Sequence, residues 1–200
     1  INLMPMLVDS VARAHARAVD NAIINGSGSI TGLDGYATAT TALLDISGTS
    51  VAAGNSATLT AAMLMGARKD MGKYGINPSD VAYIVSQARY FELIEDAAFQ
   101  DITDVGSDLA TKITGQIGAV FGSPVIVSDS FPAETAGIPA AFAVNTRNYA
   151  IPRLRGITVE TDYEVGNQRN VIVASQALGF EELVADAAGN RSAVKIDCVA

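Results

Sequence analysis

The sequence predicts an α+β fold in two parts, and three patterns carry that expectation. A helical period runs through residues 4 to 24, where Met4, Val8, Val11, His15, Ala18 and Ala22 recur at spacings of three and four. Short apolar runs bounded by turn residues read as buried strands at Val81 to Val85, Pro124 to Val127 and Ala140 to Val144. After Arg155-Gly156 the period becomes two, with Ile157, Val159, Thr161 and Tyr163 alternating with Thr158, Glu160 and Asp162. A mixed part is expected over about 35 to 145, and an antiparallel part near 151 to 200 packed on helix 4–24.

The elements follow in order. The first helix has a narrow apolar stripe, with Arg13, Arg17 and Asp20 on another face and Asp9 four residues before Arg13. Such a stripe packs against one layer or against a neighbouring chain. Asn25-Gly26 supplies a left-handed stop. Residues 36 to 55 are rich in Thr, Ala, Ser and Gly and carry little pattern. A second helix fits 57 to 74, with Leu59, Met63, Ala67, Met71 and Tyr74 on one side and Gly75 as its stop. Asn77-Pro78-Ser79-Asp80 is a turn before the strand at 81–85. Ser86 then caps a helix through about Asp96, anchored by Phe91, Leu93 and Ile94. Residues 97 to 118 read as irregular and acidic; Pro124–Val127 and Ala140–Val144 read as paired strands. Gly166-Asn167 is a turn, and Val171–Phe180 and Ala193–Val199 are further strands.

Composition narrows the function classes. The chain has 200 residues, enough to bury roughly 70% of its unfolded surface. Hydrophobic residues make up 49% and charged residues only 17%, a balance that argues against disorder and for a surface partly covered by partner subunits. The net charge of −8 disfavours nucleic-acid readout, because phosphates need bases to neutralise them. One cysteine, Cys198, rules out an intrachain disulfide, and one histidine, His15, rules out a multi-histidine metal site. The sequence opens at Ile1, as a processed chain or a fragment does, with no basic-then-apolar leader. Its longest apolar stretch, Ala136 to Val144, is far short of the about twenty residues a membrane-spanning helix needs.

No set of residues converges on catalysis. Gly26, Gly28 and Gly32 imitate a phosphate loop, but Thr31 stands where the dinucleotide fingerprint needs its third glycine, and the loop follows a helix. The plainer reading is a chain reversal. His15 lies on an apolar stripe, no Gly-x-Ser-x-Gly elbow exists, and Cys198 sits in a strand pattern as a small hydrophobe. The acids Glu92, Glu95, Asp96, Asp101, Asp104 and Asp108 form a cluster without an intervening base, at spacings that do not match a calcium loop. Arg147, Arg153 and Arg155 form the complementary cluster. The simplest inference is that the arginines meet an acidic segment, within the chain or across an interface. No cofactor is expected.

Three stretches carry a resemblance: Val19 to Leu33 (VDNAIINGSGSITGL), Asn77 to Ile94, and Ile117 to Asp129 (IGAVFGSPVIVSD). Their order and spacing over nearly the whole chain resemble the C-terminal two thirds of a tailed-phage major capsid protein of the Hong Kong 97-like fold. The segment AFAVNTRNYAI and the Gly-Ile-Thr-Val-Glu strand after it keep the same order. The resemblance implies a peripheral domain from 1–33 (the end of a spine helix and its loop) and 146–200, with an axial domain at 34–145. The family's N-terminal arm, extended loop and first part of the spine helix would precede Ile1, so these 200 residues alone are not expected to build a complete shell. Asn170 stands near the asparagine that some members crosslink to a lysine. That lysine lies in the loop absent from this sequence, and the promoting glutamate falls near Ala177, so no crosslink is expected.

The function implied is a structural subunit, not an enzyme, which self-assembles into pentamers and hexamers around a double-stranded DNA genome. It would sit in the virion capsid and assemble in the host cytoplasm. Its partners would be copies of itself, with scaffolding, portal or decoration proteins, non-specific contact with packaged DNA, and no membrane. Two alternatives stand beside it: an encapsulin-type nanocompartment shell, and a small acidic hydrolase using the carboxylates at 92–108.

Overall fold

The computed structural model describes residues 4–25, 44–45, 58–96, 118–131, 139–184 and 190–197. Helix α1 spans Met4–Asn25 and α2 Ala61–Asp70; two 3-10 turns follow at Gly72–Gly75 and Pro78–Asp80. Strand β1 is Leu44–Asp45 and β2 Val81–Ser86, and helix α3 is Gln87–Glu95. Strands β3 (Ala119–Val120), β4 (Ser123–Ser128), β5 (Pro139–Asn145), β6 (Tyr149–Ala150), β7 (Arg153–Glu164), β8 (Arg169–Leu178), β9 (Glu181–Glu182) and β10 (Ala193–Asp197) complete the described chain.

Six strands form one sheet in the order β1-β10-β5-β2-β4-β3. Strand β2 (VAYIVS) is apolar at five consecutive positions and lies mid-sheet, between β5 antiparallel and β4 parallel. A strand with no polar face needs cover on both sides, and alternation along the neighbours supplies it. Ala141 and Ala143 of β5 join Val81, Tyr83 and Val85 under α2 and α3, with Leu59, Leu64, Met71 and Leu93. Phe142 and Val144 point the other way, to Ile24 of α1 and Phe180.

The structure corrects the sequence reading in three places. Segments 124–127 and 140–144 do form strands, but they do not pair; β2 separates them. Apolar runs mark strands without naming partners, and the most apolar run took the central position. The last strand also departs from expectation. Ala193–Asp197 pairs antiparallel with β5 rather than with the late strands, so the sheet crosses the boundary drawn at 145/146. Val194 and Ile196 thereby reach the core that holds Tyr83. Third, the helix expected through residue 74 ends at Asp70, where Gly72 adopts φ +58, a left-handed conformation open to glycine at little cost.

Strands β7 and β8 stand apart as a two-stranded ribbon, paired from Arg153↔Leu178 to Glu164↔Arg169. Helix α1 touches β7, as the sequence reading expected, but Met6, Leu7 and Val8 in its first half are exposed. Its buried contacts concentrate at the C-terminal end, in Ala22 and Ile24.

Candidate intersubunit surfaces

The acidic cluster divides by what its members hold. Asp101, Asp104 and Asp108 lie outside the described residues. Glu92 takes two hydrogen bonds from the Arg89 guanidinium, at 2.7 and 2.9 Å, and one from the backbone N–H of Leu59 at 2.7 Å. Asp96 accepts the N–H of Ala61 at 2.6 Å. Thr60, the N-cap of α2, makes no side-chain capping bond. Asp96, the C-cap of α3, therefore satisfies an orphan donor of α2, and Glu92 holds the residue before its N-cap, where the helix dipole favours negative charge. Sequence reasoning missed this, because the donors and acceptors lie more than thirty residues apart. Glu95 is exposed.

The arginines are not gathered against those acids. Arg147 Nε lies 2.8 Å from Asp80, which also accepts from Asn77. Arg155 reaches Glu160 on its own strand at 3.5 Å. Arg153 is exposed and makes no ion pair with the described residues. His15 is half-buried mid-helix; Cys198 and most of the 25–34 glycine loop lie outside the described residues. Among the described residues no cluster of three His, Cys, Asp or Glu forms a metal site, and no helix is long and apolar enough to cross a membrane.

Among the described residues one open apolar surface lies on the ribbon. Its register sorts residues by face. Ile157, Val159 and Tyr163 share one face with Ile172 and Ala174; Glu160, Asp162 and Glu164 share the other with Arg169, Val171 and Val173. Leu154 is 91% exposed, and Ile157, Val159, Tyr163, Val165 and Val173 are all exposed. A two-stranded ribbon with both edges open is marginal in water by itself. Its apolar face and free edges have the character of a surface completed by other protein.

The chain is 33% identical over 187 residues to the major capsid protein of Escherichia phage T5, a match covering 92% of this chain and 40% of that protein. The chain is thus similar in sequence to a phage major capsid protein. No family model matches it. The fold is shared with the capsid of an empty GTA particle, at TM-score 0.65 and 17% identity over 99% of this chain and 67% of that one. It is also shared with the satellite phage P4 procapsid, at TM-score 0.57 and 12% identity over 100% of this chain and 68% of that one. The curated protein is a major capsid protein, and the two solved structures are a capsid and a procapsid. The chain spans about two fifths of the length of its phage T5 relative.

Proposed function

We propose that this chain is part of a Hong Kong 97-like major capsid protein, a structural subunit that assembles into pentamers and hexamers enclosing double-stranded DNA. The match to the phage T5 major capsid protein, running through 92% of the chain, carries this reading. The exposed ribbon supports it, because a shell supplies neighbours on several sides at once. In this reading the six-stranded sheet, with α2 and α3, is the axial unit. It takes in residues 193–197 as well as the described strands and helices between 44 and 145. The ribbon and α1 form the peripheral unit. The protein belongs to the virion capsid and assembles in the host cytoplasm, with scaffolding, portal or decoration proteins as further partners.

Charge has a part in register. Arg153 and Arg155 lie on the exposed ribbon, so they are placed to meet acids of a neighbour, Glu95 or the segment holding Asp101, Asp104 and Asp108. Arg147 and Glu92 are engaged within the chain and contribute less. Rim pairs are worth about 0–1 kcal/mol, so they direct assembly more than they stabilise it. Replacing Arg153 and Arg155 by Glu in the full-length protein is expected to leave the subunit folded and to slow assembly in light scattering. The effect should be larger at low salt. Unchanged kinetics at low salt would remove these arginines from the interface.

A further inference from the structure

Phe121 sits on a backbone that phenylalanine rarely adopts. It and Gly122 form the two-residue loop between Val120 and Ser123, with φ of +50 and +79. Positive φ at both central residues is the type I′ hairpin pattern, which Asn, Asp and Gly adopt at little cost and a bulky side chain does not. Arg68 fixes the loop. Its guanidinium donates to the carbonyl of Phe121 at 3.1 Å, of Gly75 at 2.6 Å and of Ile76 at 2.9 Å. The same clamp thus sets Ile76, which is 75% exposed, and Phe121, which is 45% exposed. A strained turn and a three-way clamp hold two large apolar side chains out toward solvent, where they add little to the fold.

At the other end of β4 is a groove with matching properties. Ile23 and Ile24 of α1, Ile84 of β2, and Ile126 and Val127 of β4 line it, with Asp20 at the rim, and its volume is about 160 Å³. Apolar cavities of roughly 150 Å³ hold benzene. Charge is complementary as well. The Arg68 guanidinium stands at the Phe121 end, whereas Asp20 stands at the rim of the groove. Loop and groove lie at opposite ends of a strand about 20 Å long, so a chain cannot fill its own groove with its own loop.

We propose that Phe121, with Ile76, is a docking knob that seats in the Ile23–Ile84–Ile126 groove of the next copy of this chain. The contact is heterologous, head to tail, as a closing ring requires. It rests on the capsid-subunit reading and adds to it the residues that join one copy to the next.

The test uses the full-length protein and the variant Phe121→Asn. Asn suits a type I′ turn, so the thermal midpoint should match or exceed that of wild type, while the protein concentration needed for assembly rises about tenfold or more. In parallel, benzoylphenylalanine replaces Phe121 and is photoactivated in assembled particles. The crosslink should map to peptides containing residues 20–25 or 123–128 of another copy. Normal assembly of Phe121→Asn, or a lowered thermal midpoint, would overturn the knob. Crosslinks to a different region of the neighbour would overturn the groove. A wild-type protein that forms no oligomers would remove the capsid reading and this contact together; normal assembly of Phe121→Asn removes the contact alone.

Discussion

Replacing Glu92 by Ala separates an acid that builds the subunit from one that joins subunits. Glu92 bonds a buried guanidinium, Arg89, and the N–H of Leu59, a residue 1% exposed in the main core. The variant removes one carboxylate from the buried Arg89 guanidinium; breaking a buried pair from one side costs about 3–5 kcal/mol. The Glu92 side chain is 26% exposed, so water recovers part of that, and the low end applies. The Leu59 N–H loses a charged acceptor, a loss of about 1–3 kcal/mol if no water replaces it. The two losses overlap at one carboxylate, so the expected cost is about 3 kcal/mol. At this chain length that lowers the melting temperature by about 6–12 °C. Urea unfolding of the unassembled protein measures it, with Glu92→Gln falling between because it keeps an acceptor without the charge. Destabilisation below about 1 kcal/mol, together with impaired assembly, would refute the cap and return Glu92 to the interface.

Two further outcomes follow from the core. Gly75→Ala places a Cβ 2.1 Å from the Arg68 carbonyl oxygen, a backbone atom, so it should cost about 1–3 kcal/mol in urea unfolding; an unchanged midpoint would contradict the packing. The Tyr83 hydroxyl is buried, and burial pushes its pKa above the usual 10.0, with the Arg68 charge and hydrogen bonding by Ser123 opposing. Because the folded-state pKa is the higher one, its contribution to stability is complete below about pH 10 and is lost as pH rises through the folded value, at up to about 1.4 kcal/mol per pH unit. Tyr83→Phe should stay within about 1 kcal/mol of wild type at pH 7 and lose stability less steeply above pH 10; identical alkaline unfolding would remove Tyr83 from that transition.

Local chemistry was legible in the sequence where it acts over a few residues. The Ser86 cap, the Asn77 turn and a strand over 157–163 all form where the pattern placed them, although the apolar residues of that strand are exposed. Pairing was not legible. Nothing in Ala193–Asp197 names a partner in β5, where Val194 and Ile196 reach the core. The acidic cluster misled for a related reason. Glu92 and Asp96 look like a solvated face until the start of α2 is brought against them. Phe121 left one signal, a bulky residue before glycine between two short apolar runs, which is a hairpin with an unusual first residue.

Electron cryomicroscopy of the full-length protein after assembly tests the central claim most directly. The expected result is a closed icosahedral shell in which the six-stranded sheet surrounds the capsomer axes and the 153–178 ribbon is covered by neighbouring copies. A monodisperse particle with no closed shell, its ribbon still open to solvent, would contradict it.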